Sequence, residues 1–410
     1  MQYKQQTSHQ TAALNDEGSS DKLSVVEPSP VEHRHYYLDW LRVLAVTGVF
    51  LSHTITVFNL LYWHVNESRG QALIVFGTEW GMALFFLLAG ASAWFSLGSR
   101  TARQFISERF ARLVIPFIIG VMLLSSLQGY LLDVRLSHYS GTFFQYFQYF
   151  FLHIQFNWSP QLLAAYGFHL WFLAFLFLFS ALALAPFTYL KSNPGQHVIA
   201  RFVTICGYRG GPFLLAIPLA LIQLALRALF PGYQGWTDFL NWFVFFVYGY
   251  LFLSDARIMK AIYKQGMLAL IVGVASMLTL LLTMYGPPPL RVWEGTPGYS
   301  LKFELSQLLL IVVAWSWMLF VLYFGLRFLN ISNRLITYLN EAILPFYVLH
   351  YLMIVVVFFF ISAIDIAVMA KFLIVLALSL AATLFVYELL IRRIPIARRL
   401  FGMKPQESNR

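Results

Sequence analysis

The sequence predicts an all-α, polytopic membrane protein with about ten transmembrane helices and both termini in the cytoplasm. Hydrophobic residues occupy 59% of the 410 positions and charged residues only 11%, far from the balance of a soluble domain. Aromatic residues reach 18%, which is typical of helices that face lipid and anchor at its interfaces. No soluble enzymatic domain fits in the polar remainder.

Apolar segments of about twenty residues, the length needed to cross a bilayer, recur along the chain. The connections between them alternate in charge, since every second one is rich in arginine and lysine. The positive-inside rule makes the basic connections cytoplasmic and places both termini on that side. The predicted spans cover residues 38–62, 72–97, 112–132, 167–190, 211–230, 236–254, 266–285, 301–325, 341–361 and 368–391.

The remaining segments complete the predicted organisation. Residues 1–34 are polar and lack the apolar region of a signal peptide, so we expect a disordered cytoplasmic tail. Residues 35–392 form the transmembrane domain, and residues 393–410 form a basic cytoplasmic tail. Basic loops explain the net charge of +10 without a nucleic-acid partner. The single cysteine, Cys206, excludes an internal disulfide framework and is expected to be packed or interfacial.

The predicted outer connection over residues 133–166 is long and aromatic, and it includes FFQYFQYFFLHIQFNW. Because bare loops do not lie in hydrocarbon, we expect this segment to fold onto the membrane surface, where it would roof a substrate site. The alternative interpretation is an aromatic belt with no catalytic task.

Two ionisable residues, Arg42 and His53, lie in the first predicted span. Eleven residues of α-helix advance by about 1,100°, so both side chains share one face about 16 Å apart. Ionisable groups inside a membrane are costly and usually functional. An imidazole can take a proton from a hydroxyl and return it to a leaving group, so His53 is a candidate general base. The alternatives are an arginine that snorkels to the headgroups and a hydrogen-bonded core histidine.

Three further residues are placed near this pair by their estimated depth in the membrane. Glu79 in the second span lies at nearly the depth of His53, where a carboxylate would orient the imidazole; the alternative is a solvated Glu79 near the interface. His350 in the ninth span lies near mid-membrane. His169, at the outer start of the fourth span, is expected to meet water.

A basic connection, SRTARQFISERFARLVIP, predicts a binding site for a phosphorylated cytosolic ligand. Arg109 and Arg112 are three residues apart and share a helix face, and guanidinium groups suit phosphate oxygens. The alternative interpretation is anchoring to anionic lipid.

The opening segments resemble acyltransferase family 3, a family of integral-membrane acyltransferases. YLDWLRVLAVTGVFLSH is similar to the opening motif of the family, in which ten residues separate an arginine from the catalytic histidine; these positions are Arg42 and His53. MALFFLLAGAS resembles the second-span signature, with Phe85 and Phe86 present. Ala89 stands where the family usually has serine.

Later segments extend the resemblance over most of the chain. ERFARLVIPF is similar to a paired-arginine motif associated with acyl-donor binding, and GFHLWFLAFL and EAILPFYVLH resemble further family segments. The HTITVFNLLYWHVN and HLWFL stretches look most like the branch that contains the glucan biosynthesis protein C succinyltransferases. The resemblance implies transfer of an acyl group, such as acetyl or succinyl, from cytosolic acyl-CoA to a hydroxyl of an extracytoplasmic glycan or similar acceptor.

Combining the resemblance with the residues gives a set of expected roles. His53 deprotonates the acceptor hydroxyl or, alternatively, carries a transient acyl group. Acyl-CoA is a co-substrate, and we expect neither a resident cofactor nor a metal, because the histidines lack close same-helix pairing such as HExxH. The predicted catalytic residues are His53, Glu79 and Arg42, the donor-binding residues are Arg103, Arg109 and Arg112, and the acceptor pocket holds His169, Trp171 and His350.

Two other function classes stay open at the level of the residues. A secondary transporter or exporter of a polar or anionic solute would use the buried histidines as a proton relay, and broken helices would favour it. A structural scaffold leaves the deep Arg42 and His53 without a purpose. The family resemblance implies a bacterial inner membrane, and acceptor selectivity would then come from the outer loops or from a periplasmic partner protein.

Overall fold

The computed structural model describes residues 35–63, 70–153 and 158–403, with the side chains of residues 63 and 70–79 excepted. Within these ranges all regular structure is helical, which confirms the predicted all-α class. Eight helices there are long and apolar enough to cross a membrane, and two sharply bent helix pairs raise the number to ten. This range agrees with the predicted ten spans, while the orientation of the termini stays a prediction.

The helices run in chain order with few long connections. Three short π-helical segments interrupt the first half of the chain, at Asn59–Trp63, Phe110–Val114 and Gly120–Ser125, and a fourth lies at Tyr387–Ile391. The α-helices are α1 (Tyr36–Phe58), α2 (Gly70–Gly98), α3 (Ala102–Arg109), α4 (Ile115–Ile119), α5 (Ser126–Leu136), α6 (Phe143–Leu152), α7 (Gln161–Gly167), α8 (Trp171–Leu182), α9 (Leu184–Leu190), α10 (Asn193–Gly207), α11 (Gly211–Leu214), α12 (Ala216–Leu226), α13 (Trp236–Ser254), α14 (Ala256–Lys264), α15 (Gly266–Tyr285), α16 (Leu301–Phe328), α17 (Arg334–Ile361), α18 (Val368–Val386) and α19 (Pro395–Leu400).

Two candidate spans are bent rather than straight. The axis turns by 118° between α10 and the α11–α12 segment, and by 105° between α13 and α14. Gly210 occupies the left-handed region at the first bend with φ 80°, which glycine adopts without a steric penalty. The predicted spans leave residues 191–210 as a connection, and α10 occupies most of it. Ile199 and Cys206 on α10 are buried, so the helix is fixed by packing and the thiol is packed as expected.

The most extensive helix pairing joins α2 to α13. Two glycines allow it, since a Cβ on Gly90 would collide with the carbonyl of Phe246, and a Cβ on Gly249 with that of Leu87. Small residues that let two backbones approach are a common device of transmembrane helix packing. The pairing forms the centre of the main core, with Phe86 fully buried within it.

The aromatic connection contains the helix α6 and, after residues outside the described ranges, α7. Thr142 and Gln145 form a reciprocal capping box at the start of α6, which fixes where the helix begins. Tyr146 is buried, whereas Phe144 and Leu152 are 78% and 81% exposed. The exposed apolar face agrees with a surface-lying segment, although its position against a membrane stays a prediction.

Residues of the predicted C-terminal tail also contact the helices. α19 packs near α4, and the carbonyl of Gly402 accepts a hydrogen bond from Nε of Arg112 at 3.1 Å. Arg398 is buried and lies 3.4 Å from a carboxylate oxygen of Glu341 on α17. These contacts anchor residues 395–403 to the helices that carry the arginine motif.

Candidate active site

Three imidazoles meet although their residues lie on different parts of the chain. The ring centroids are 5.4 Å apart for His53 and His350, 5.0 Å for His169 and His350, and 6.1 Å for His53 and His169. We call this group the histidine cluster. α1 supplies His53, α17 supplies His350, and the turn before α8 supplies His169. The estimated depths placed His53 and His350 at similar levels, and the structure brings both into contact with His169.

His169 reaches the cluster through an irregular turn. The preceding residue, Phe168, has φ 46° and ψ −125°, a conformation that costs a residue with a side chain about 1–3 kcal/mol. The turn directs His169 inward, and only 5% of the residue is exposed. The expectation that His169 meets water is therefore wrong, because the residue is buried among the helices.

The backbone carbonyl of Tyr347 organises two of the imidazoles. It lies 3.1 Å from Nε2 of His169 and 2.7 Å from Nδ1 of His350. The hydroxyl of Tyr347 in turn donates to the backbone carbonyl of His169. This double link fixes α17 against the His169 turn and holds both rings in place.

These contacts determine which ring nitrogens carry hydrogen. A carbonyl oxygen only accepts, so His169 donates from Nε2 and His350 donates from Nδ1. The opposite nitrogens, Nδ1 of His169 and Nε2 of His350, are buried and have no hydrogen-bond partner among the described residues. Protonating them as well would bury an uncompensated charge, which is costly. Both imidazoles therefore present an unused lone pair.

His53 differs from its two neighbours. It is half-buried, and no residue in the described part of the chain forms a hydrogen bond to its ring. The ring of Tyr351 lies 4.8 Å from it, centroid to centroid. His53 is thus the accessible imidazole of the cluster and is unrestrained by a backbone carbonyl. Glu79, predicted to orient it, lies on α2, but its side chain is outside the described residues.

Arg42 lies on the same uninterrupted helix as His53, as the spacing predicted. Its guanidinium donates to Oδ1 of Asp39 at 2.6 Å and to Oγ of Ser92 at 2.7 Å. Ser92 in turn donates to the carbonyl of Leu88, so its oxygen faces Arg42 as an acceptor. The arginine is bound between α1 and α2, which disfavours the alternative of a side chain that snorkels to lipid.

The arginines of the basic connection have different partners. Arg100 and Arg112 lie 3.0 Å and 3.8 Å from carboxylate oxygens of Glu108, and Arg112 also donates to Gly402. Arg103 is exposed. The two arginines of the predicted pair are therefore not equivalent, because Arg112 already serves a structural contact.

Arg109, like the exposed Arg103, has no ion pair within the part of the chain that the structure describes. Its guanidinium lies 5.1 Å from the ring centroid of Phe105, and no described residue accepts a hydrogen bond from it. The charge of Arg42 acts on it, as do those of Arg112, Glu108 and Arg100. Arg109 on α3 therefore lies near the Arg42 end of α1, and His53 lies eleven residues further along α1.

Trp171, predicted to line the acceptor pocket, is 5% exposed. Its ring stacks on Trp242 with centroids 4.9 Å apart and 24° between the planes. It follows His169 by two residues at the start of α8. The structure thus places Trp171 in the aromatic packing behind the cluster.

Sequence reasoning missed four contributors to the site: Asp39, Ser92, Tyr347 and Tyr351. Asp39 precedes Arg42 by three residues and Tyr347 precedes His350 by three, which puts each pair on one helix face. The sequence therefore contained a signal for both pairs in their three-residue spacing. The role of the Tyr347 carbonyl left no trace in the sequence, because every residue carries such a group.

Comparisons with known proteins show which family the chain resembles. The family described as "Acyltransferase domain", acyltransferase family 3, matches residues 35–388. The "Glucans biosynthesis protein C" of Salmonella schwarzengrund (strain CVM19633) and that of Salmonella agona (strain SL483) are each 24% identical over 401 residues. Each alignment covers 92% of this chain and 96% of the relative. No solved structure matches the chain.

Proposed function

Because this chain belongs to acyltransferase family 3 and is an integral membrane protein, we propose that it transfers an acyl group from acyl-CoA to a hydroxyl. The acyl group is acetyl or succinyl, and the donor comes from the cytoplasm. The acceptor is an extracytoplasmic glycan or a similar hydroxyl compound, and His53 is the general base. The relatives' printed name, which refers to glucan biosynthesis, supports a glycan acceptor.

The observation that carries this proposal is the arrangement of charge and imidazole along α1. Arg42, near which Arg109 of α3 lies, is at one end of α1, and His53 contacts the histidine cluster about 16 Å further along the same helix. An extended pantetheine arm is comparable in length. CoA phosphates held by Arg109 would therefore leave the thioester beside His53.

Arg109 supports donor binding because no described residue accepts a hydrogen bond from its guanidinium. A half-buried guanidinium without an acceptor suits a phosphate, which can take two parallel hydrogen bonds from it. We assign Arg112 to shaping this region through Glu108 and Gly402, and Arg103 to its exposed rim. Arg42, held by Asp39 and Ser92, would contribute charge at the start of the path.

The proposed step conserves protons and charge. His53 takes the proton of the acceptor hydroxyl as the oxygen attacks the thioester carbonyl carbon. The carbon–sulfur bond then breaks, and the CoA thiolate takes the proton back from the imidazolium. In a covalent variant, a ring nitrogen of His53 attacks the thioester carbonyl carbon, the carbon–sulfur bond breaks, and the CoA thiolate takes the ring proton. The acceptor hydroxyl then attacks the acyl-imidazole, the nitrogen–acyl bond breaks, and the hydroxyl proton returns to the ring.

Localisation follows from the same reasoning as the acceptor. A membrane acyltransferase that uses cytosolic acyl-CoA and an extracytoplasmic glycan has to span the membrane between them. We assign the protein to a bacterial inner membrane, and we propose that acceptor selection involves the outer helices or a periplasmic partner protein.

The test is acyl transfer by the purified protein in nanodiscs. Succinyl-CoA and acetyl-CoA are each supplied with a mixture of glucose oligosaccharides, and mass spectrometry follows the acylated sugar while a thiol reagent follows CoA. The proposal predicts CoA release with one donor and a matching gain of acyl mass on the sugar.

A different outcome would favour the other function class. The two bent spans are a feature that transporters also use. If neither donor binds or turns over, and the protein in liposomes moves an anionic solute unchanged, the acyl-transfer proposal fails and the histidine cluster is a proton relay.

A further inference from the structure

The turn that follows α19 lies against the arginine motif and against α17 at the same time. Gly402 in this turn has φ 71°, in the left-handed region that favours glycine. A Cβ added to Gly402 would lie 2.6 Å from the backbone carbonyl oxygen of Arg112, 2.6 Å from Cδ2 of Leu344 and 3.2 Å from Cγ of Pro116. Glycine is therefore required here for two independent reasons, the backbone conformation and the lack of space.

Gly402 also contacts the side chain of Arg112. Its carbonyl accepts a hydrogen bond from Nε of Arg112 at 3.1 Å. Nη1 of the same guanidinium lies 3.8 Å from a carboxylate oxygen of Glu108. Gly402 thus restrains both the backbone and the side chain of Arg112, so residues close to the C-terminus help to determine where the arginine motif lies.

Buried residues on either side of Gly402 hold the turn in place. Met403 and Arg398 are both buried, and the backbone N–H of Met403 donates to the carbonyl of Arg398 at 2.8 Å, which closes the turn. The guanidinium of Arg398 donates to the carbonyl of Arg392 at 3.1 Å and lies 3.4 Å from a carboxylate oxygen of Glu341 on α17. Breaking such a buried, paired charge is strongly destabilising, so the turn is a fixed support for Arg112.

Arg109 lies three residues before Arg112, where α3 passes into the π-helical segment Phe110–Val114. π-helical turns are rare and are frequently found at functional sites. The charges of Arg112 and Glu108 both act on Arg109. A movement of Arg112 therefore changes both the backbone next to Arg109 and the electrostatic field at its guanidinium.

We propose that Gly402 is a positioning residue for the donor site: its turn holds Arg112, and with it the π-helical segment, so that Arg109 presents its guanidinium to a phosphate of CoA. The inference rests on the proposed acyl transfer and extends the donor site to residues 395–403. The proposed base, His53, lies far along α1 from the arginines, so a displaced turn leaves the chemical step intact. Gly402 therefore acts on the affinity for the donor and not on the rate of transfer from bound donor.

The test compares Gly402→Ala with the wild type, both as full chains in nanodiscs. Isothermal titration gives the Kd for CoA, and CoA release in the presence of a glucose oligosaccharide gives the KM for the donor and kcat. We expect the Kd and the donor KM to rise about 10-fold, comparable to the loss of one charge-assisted hydrogen bond, while kcat stays within about twofold. The matched control is Gly266→Ala on α15, where the added Cβ meets the ring of Tyr323 and the Kd for CoA should stay at the wild-type value.

A double-mutant cycle with Arg109→Ala separates positioning from a general loss of stability. If Gly402 acts through Arg109, adding Gly402→Ala to Arg109→Ala should not raise the Kd for CoA further, because the group that is positioned is already gone. Additive effects of the two substitutions would overturn the proposal. So would an unchanged Kd in Gly402→Ala alone, or an equal loss of affinity in Gly266→Ala.

Hydrogen exchange in the wild-type chain tests the same coupling without a variant that has to fold. Coupled binding free energies are reciprocal, so CoA should stabilise the turn if the turn favours CoA binding. The amides of Phe401, Gly402 and Met403 donate to carbonyls of residues 397–399. Their exchange should slow by about fivefold or more when CoA is bound. Identical exchange with and without CoA would overturn the inference.

The same experiments distinguish a failure of this inference from a failure of the proposed reaction. If CoA binds and is turned over but neither Gly402→Ala nor hydrogen exchange shows coupling, the positioning role fails and acyl transfer stands. If CoA binds and slows exchange in the turn, but no acyl group is transferred from either donor, the proposed reaction fails and the positioning role stands. If the wild type does not bind CoA, both are overturned.

Discussion

The rings of His53 and His350 lie with their centroids 5.4 Å apart, and only His350 is bound by a backbone carbonyl. The two imidazoles are therefore suited to different tasks. His350 is held in one tautomer and offers a lone pair, whereas His53 is accessible and can both take and release a proton. This division gives the cluster one candidate base and two candidate recognition groups.

Replacing Arg109 by alanine should weaken binding of CoA by about 10- to 100-fold, because a charge-assisted hydrogen bond to phosphate is lost. The affinity of Arg109→Lys for CoA should fall between those of the wild type and of Arg109→Ala, since lysine keeps the charge but not the planar, five-donor guanidinium. The measurement is isothermal titration of CoA into the protein in nanodiscs. Arg257, which is exposed and paired with Asp255, provides the control, and its alanine variant should bind CoA normally. Unchanged affinity in Arg109→Ala would exclude this arginine from the donor site.

Removing the partners of Arg42 should lower both stability and turnover. Asp39→Asn replaces a carboxylate that is 8% exposed, so it should destabilise the protein by about 1–3 kcal/mol, and Ser92→Ala by less. Thermal unfolding in detergent shows which of the two substitutions destabilises the protein more. The control is Ser96→Ala, which removes the hydroxyl that Arg100 contacts without affecting Arg42. If Ser96→Ala lowers turnover as much as Ser92→Ala does, the Arg42 contacts have no special role.

Alanine at Gly90 or Gly249 should destabilise the protein by about 1–3 kcal/mol, because the new methyl group would overlap a carbonyl on the facing helix. Gly81 lies on the same helix as Gly90 and has nothing within 4 Å of an added Cβ. Gly81→Ala should instead stabilise by about 0.5–1 kcal/mol, the usual gain of alanine over glycine in a helix. Equal melting temperatures for Gly90→Ala and Gly81→Ala would contradict the close packing of α2 on α13.

Direct transfer predicts that no acyl group accumulates on His53. The protein is mixed with isotope-labelled acyl-CoA, quenched within milliseconds, and digested for mass spectrometry of the peptide that carries His53. We expect the unmodified peptide both with and without the sugar acceptor. A label on His53 that is lost when sugar is added would establish the covalent mechanism, in which His53 carries the acyl group, instead.

The helix-based features were predictable because helix geometry alone fixes them. α1 runs without a break through Arg42 and His53, so their shared face followed from counting residues. The similar depth of His53 and His350 followed in the same way from the spans. The class of the protein followed from composition.

The rest depended on tertiary structure. His169 was misplaced in water because the turn at Phe168 adopts a positive φ that no local preference predicts. The unequal roles of Arg109 and Arg112 depend on Gly402, almost three hundred residues further along the chain, and no local pattern indicates such a contact.

The most direct test of the account compares the wild type with His53→Ala in two assays on the same nanodisc preparation. One assay measures CoA release in the presence of a glucose oligosaccharide, and the other measures the Kd for CoA. The account predicts that CoA release falls by about 100- to 10,000-fold, the usual contribution of a general base, while the Kd stays within about threefold of the wild type. Turnover in His53→Ala that stays close to the wild-type rate, with the donor still bound, would contradict it.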